Sequence, residues 1–157
     1  MLLNLFRFCE SGTKNKIRFI IYVSLRTKVN TRNALNYYDL GYSEVFVFEN
    51  HLINQIKEGE KVVVGHAQTL RAMIDKHFKD RKMVYIANRV NSYSVNPLVY
   101  LKVAEMDNLK AICIVTDSNM NWNTALYEKQ FSAIPFEIFS NMNEAISWAT
   151  EQLSIVE

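Results

Sequence analysis

Two polar loops carry the residues best suited to chemistry. Asn88-Arg89-Val90-Asn91-Ser92-Tyr93-Ser94 follows one apolar run, and Thr116-Asp117-Ser118-Asn119-Met120-Asn121-Trp122 follows another. If those runs are neighbouring parallel strands, both loops lie beyond the carboxyl ends of the sheet, where open α/β sheets bind ligands. Arg89, Asn91, Tyr93, Asp117 and Trp122 would then converge as a ligand- or partner-binding set. Arg89 could hold a phosphate or carboxylate through its planar fork. It could equally pair with Asp117 and fasten the two loops, and that structural pairing is the expected role. Tyr93 and Trp122 could line a ligand mouth or simply fill core. Ser92 and Ser94 precede a helix start at Pro97 and are candidate phosphorylation sites, since phosphate is favoured near a helix N-terminus. Serines in such places also serve as turn and cap residues.

Nothing in the chain spells out catalysis. His51, His66 and His77 form neither an HxH nor an HExxH pattern, so no metal is expected. There is no GxSxG, P-loop or GxGxxG. Glu128, Glu137 and Glu144 are scattered, and no spacing pairs them for acid/base work. Cys9 and Cys113 are the only cysteines, which supports neither a disulfide framework nor a zinc site. Cys113 sits inside an apolar run and reads as a small buried hydrophobe. The expected catalytic set and cofactor set are therefore both none.

The elements that must position these residues follow from hydrophobic rhythm. Lys82–Asn88, Lys110–Thr116 and Pro135–Ser140 are short apolar runs, the pattern of buried parallel strands. Helical patterns lie between and after them: His66–Phe78 with Ala67, Leu70, Ile74 and Phe78 on one stripe, Pro97–Met106 behind Asn96, and Asn121–Phe131 with Ala125, Leu126, Tyr127 and Phe131 as its apolar content. Asn141 opens a last helix, with Glu144 placed for a capping box. Its face of Met142, Ile146, Trp148, Ala149 and Leu153 anchors on the sheet or, if in excess, forms a homodimer interface. Upstream, Ser43–Glu49 and His51–Lys57 read as a strand pair turning at Glu49-Asn50-His51, and Glu58-Gly59-Glu60 turns into a short extended run at Lys61–Val64.

Composition bounds the rest. A chain of 157 residues with 49% hydrophobic residues has ample material for one core. A net charge of +2 gives no footprint for nucleic acid. The basic excess is confined to residues 1–40, which hold seven Lys/Arg against two acids. That segment has no clear period and reads as an N-terminal extension over residues 1–42, ahead of a domain at 43–157. The alternative is a strand at Arg18–Ser24 that joins the sheet. Met1–Phe8 and Ile17–Leu25 are far short of the ~20 apolar residues that span a bilayer. The cysteine usage fits a reducing cytoplasm.

Several of these pieces together resemble a known family. Val84-Tyr85-Ile86-Ala87-Asn88-Arg89-Val90-Asn91-Ser92-Tyr93-Ser94-Val95-Asn96-Pro97, the strands at Ala111–Thr116 and Phe136–Phe139, and Glu144-Ala145-Ile146-Ser147-Trp148 are similar to elements of small bacterial SpoIIAA-like proteins, the STAS/SEC14-type domains. The likeness spans residues 43–153. It implies an α/β fold: a mixed sheet with antiparallel N-terminal strands, βαβ crossovers and helices packed on the sheet. It also implies a non-catalytic regulatory or protein-interaction module. Members that antagonise anti-sigma factors carry an Asp-Ser-Ser-Gly-like motif whose serine is phosphorylated. This chain departs from it with Asn91-Ser92-Tyr93-Ser94. The alternative function is a carrier or sensor of a small apolar ligand or lipid, with a pocket lined by residues such as Tyr85, Tyr100, Trp122, Phe131 and Phe139.

Overall fold

The computed structural model describes residues 34–155. The alternative strand at Arg18–Ser24 and the residue Cys9 lie outside them. Six strands form one mixed sheet in the order β1-β2-β3-β5-β7-β8. These are β1 (Asn36–Asp39), β2 (Ser43–Val47), β3 (His51–Ile56), β5 (Met83–Asn88), β7 (Leu109–Val115) and β8 (Phe136–Phe139). The first two pairings are antiparallel. The last three are parallel, each reached by a helical crossover. This is the expected α/β architecture. β4 (Lys61–Val62) and β6 (Ser94–Val95) form a separate two-stranded parallel pair beside it.

Among the described residues four helices cover the sheet: α1 (Val64–Phe78), α2 (Leu98–Val103), α3 (Asn119–Lys129) and α4 (Met142–Ser154). Strand alternation assigns the faces. Along β7, Ile112 and Ile114 pack in the layer that holds Ile74 of α1, Val103 of α2 and Ala125 of α3. Ala111, Cys113 and Val115 pack in the opposite layer with Ala145 and Ala149 of α4. β7 is therefore buried on both faces, which is why it reads as a continuous apolar run. Burial pushes the Cys113 thiol up to about 12, so it is a packing residue and not a nucleophile. In the α4 layer Trp148 meets Phe139 with ring centroids 5.7 Å apart, which anchors the helix on its own sheet.

Three features depart from the sequence expectations. β1 falls within residues 1–42 and pairs along β2 from Asn36↔Val47 to Asp39↔Glu44, so the sheet reaches upstream of Ser43. Its turn is closed by Gly41 at φ +83, a conformation glycine adopts freely, and by a Gly41 N–H donated to Asp39 Oδ1 at 2.9 Å. Second, the helix after Pro97 is shorter than expected, six residues ending at Val103. Third, α3 buries only part of the apolar content picked out for it, Ala125, while Phe131, just past its end, is part-buried against the core. Leu126 and Tyr127 are exposed, and its buried residues are Asn121, Ala125 and Glu128.

Candidate functional site

The site is built around Arg89, the first residue beyond β5. Side chains alternate along a strand, so Tyr85, Ala87 and Arg89 share a face. Asn54 of β3 lies directly opposite Ala87 and shares it too. That face looks toward α1 and α2. Arg89 is the largest of the fully buried side chains, at 1% exposure. A charge in that position must be paired. Its Nη2 donates to both carboxylate oxygens of Glu128, at 2.9 and 3.1 Å. Tyr100 donates its hydroxyl to Glu128 Oε2 at 2.7 Å. The Tyr93 ring lies under the guanidinium, 4.2 Å from its carbon. Burial opposes the charge on Arg89, but Tyr93 and Glu128 outweigh it and hold the guanidinium above its ordinary pKa. Burial pushes the hydroxyls of Tyr85, Tyr93 and Tyr100 the same way, so all three stay neutral at ordinary pH.

The arrangement leaves polar atoms over. Arg89 Nε and Nη1 are buried and have no hydrogen-bond partner among the described residues. Tyr93 stacks its ring on the guanidinium, and its hydroxyl interacts with the same group electrostatically. Asn54 donates its amide nitrogen to the Tyr85 hydroxyl at 3.0 Å, and its amide oxygen has no partner.

These residues line one cavity of about 70 Å³ between the sheet and helices α1 and α2. Its floor is Asn54 and Ile56 from β3, Tyr85 and Ala87 from β5, and Ile112 and Ile114 from β7. Ala67, Leu70 and Met73 of α1 wall one side, and Val99, Tyr100 and Val103 of α2 wall the other. Tyr42 and His66, stacked with centroids 4.1 Å apart and each part-exposed, also border it.

The structure separates the sequence-predicted set. Arg89 and Tyr93 are together in the cavity wall. Asn91 lies outside it, donating to the Ile56 carbonyl at 2.8 Å, and Trp122 packs part-buried in the same layer. Asp117 is exposed, and the expected Arg89–Asp117 pairing is replaced by Arg89–Glu128. The reason is length: α3 returns across the end of β5 and carries Glu128 over Arg89, while Asp117 stays at the rim, ahead of α3. Of the pocket residues expected for a carrier, Tyr85 and Tyr100 line the cavity, while Phe139 faces the α4 layer. Ser92 has its N–H on Glu58 Oε2 at 2.7 Å, a carboxylate that would repel a phosphoryl group. Ser94 is exposed within β6, opposite Lys61. Among the described residues no three His, Cys, Asp or Glu side chains gather as a metal site. No helix among them is long and apolar enough to cross a membrane.

Glu128 is the site residue that sequence reasoning missed. Its signal was position: Asn121, Ala125 and Glu128 fall at i, i+4 and i+7, one stripe of a helix. A carboxylate on a buried stripe calls for a cation, and Arg89 was the candidate in reach.

No family model and no curated protein matches this chain. Among solved structures it is similar to an uncharacterized protein from the DUF3478 family with a SpoIIAA-like fold, from Shewanella loihica PV-4. The two share 10% identity, the match covers 63% of this chain and 83% of the other, and the TM-score is 0.43.

Proposed function

We propose that this chain is a non-catalytic binding module that holds a small, mostly apolar molecule between its sheet and helices α1 and α2. One observation carries the reading: a cavity lined mainly by aliphatic side chains lies where the core of this layer would otherwise close. Protein interiors are packed to crystal density, and cavities in them cost stability. A cavity kept in a domain of this size is explained by an occupant. At about 70 Å³ it is well below the roughly 300 Å³ and more of ordinary ligand pockets, so it suits only a very compact molecule and not a long acyl chain.

A protein-interaction role is the second reading. Leu98 and Leu101 stand one helical turn apart on α2, each 55% exposed. Since α2 is also a cavity wall, an occupant would bear on that surface, and the two readings combine as a sensor.

The test is native mass spectrometry of protein purified from its own host, with a denatured control, beside a thermal-shift screen of small neutral apolar compounds. A mass increment that vanishes on denaturation, or stabilisation by such compounds, is the expected result. Equal native and denatured masses together with a flat screen overturn the proposal.

A further inference from the structure

We infer that the cavity's occupant is an uncharged, compact apolar molecule that presents a hydrogen-bond acceptor, such as a ketone, lactone or amide carbonyl, to Nε and Nη1 of Arg89. The inference rests on the binding-module reading above and adds the chemistry of the ligand's head.

A guanidinium carries five N–H groups. Those on Nη2 are directed at Glu128. The remaining three belong to Nε and Nη1, the atoms without a partner, on a side chain that is 1% exposed. Donors left unmade on a buried charge are costly, more so than on a neutral group. Arg89 lines the cavity, so an acceptor placed there answers the deficit. Asn54, whose amide oxygen also has no partner, lines the same cavity one strand away; being an acceptor, it would take a donor and does not contact the carbonyl.

Charge decides what kind of acceptor. Arg89 is already neutralised by Glu128, which is itself 2% exposed and held by Tyr100. A carboxylate or phosphate head would bring a second buried negative charge against a single cation. His66 is the other ionisable base on the lining, and its Nδ1 accepts from the Val63 N–H at 3.2 Å as part of the α1 cap. Burying an unbalanced ion costs far more than burying a hydrogen-bonded carbonyl. The rest of the lining, Leu70, Met73, Val99 and Val103 among it, asks only for an apolar body.

The experiment compares three probes of similar bulk, small enough for the cavity: acetone, isobutene and acetate. Binding to the full chain is followed by NMR, using the Arg89 Nε–H cross-peak and the methyl signals of Val99 and Val103. Acetone is expected to bind at least tenfold more tightly than either of the others, and to shift the Nε–H signal. In an Arg89→Met/Glu128→Gln double variant, which removes both charges together, the ketone's advantage over the hydrocarbon is expected to fall to about twofold or less. Should that variant not fold, the three-probe comparison on the unaltered chain decides alone. Tightest binding by the carboxylate, or equal binding by the hydrocarbon, overturns the inference about the head while the binding module stands. No binding by any probe, the outcome if water alone fills the space, overturns both.

Discussion

At the scale of single residues, the buried Arg89–Glu128 pair is the feature on which most depends. Neither partner alone is tolerable in that layer. Glu128→Ala leaves an uncompensated guanidinium at 1% exposure and is expected to cost about 3 kcal/mol or more. Arg89→Met/Glu128→Gln removes both charges at similar volume and is expected to cost much less than the two single changes summed. Urea denaturation of the four proteins in a double-mutant cycle measures the coupling. Additivity would show that the pair is not one unit. His51 makes a second, independent test. Its Nδ1 meets Asn50 Oδ1 at 2.8 Å, its ring stacks on Phe48, and burial lowers its pKa from 6.5 to about 4. The folded state therefore favours neutral imidazole. Stability from this group is complete above pH 6.5 and is lost as pH falls from 6.5 toward 4, by about 3 kcal/mol in all. Chemical denaturation between pH 7 and 4 should show that slope, and His51→Gln should flatten it. Arg89 was legible in the sequence as a polar residue ending an apolar run. Its partner was not, because Asp117 is near in sequence and Glu128 is near only after α3 folds back.

At the scale of elements, periodicity located every strand and helix that buries an apolar stripe, and its misses have physical causes. β1 was obscured because its burial is partial throughout: Asn36, Tyr37 and Tyr38 are half-buried and Asp39 is exposed, so no alternation marks it. The buried face of α3 is not visible in its apolar content because two of its three buried residues are polar, and hydrophobicity cannot see a stripe that includes Asn121 and Glu128. Asn121 earns its burial by donating toward the carbonyls of Arg89 and Asn91, which ties α3 to the loop after β5. The end of α1 places a non-glycine residue in a conformation that favours glycine. Phe78-Lys79-Asp80-Arg81 closes with Arg81 N–H on the Phe78 carbonyl at 2.8 Å, and Lys79 sits at φ 47, ψ −116. That is the first central position of a type II′ turn, which glycine fills without strain. Lys79→Gly is expected to stabilise the protein by about 1 kcal/mol, even after the entropic cost of glycine in the unfolded chain. Thermal unfolding checks it, and a destabilised variant would mean that the Lys79 side chain matters more than its backbone.

At the scale of the whole molecule, the cavity follows from a mismatch of lengths. The helical part of the crossover between β5 and β7 is only the six residues of α2, about 9 Å long. The strands it spans, six and seven residues, run to about 20 Å. So short a helix cannot cover the sheet alone, and α1, which packs on its other side, closes the layer only in part. The floor at this point is Ala87, the smallest side chain of β5. A sheet meant to be filled would carry a larger residue there. Ala87→Ile tests whether the space is structural slack or a kept site. Isoleucine suits a strand and adds three carbons toward the cavity. If the cavity is retained for a ligand, the variant is expected to be as stable as the parent or more so, by up to about 1 kcal/mol, and to lose probe binding altogether. Gained stability with lost binding is the trade-off expected where packing has been given up for function. A variant that loses about 2 kcal/mol or more would instead show that isoleucine overpacks the site, and that the layer is already closed in solution.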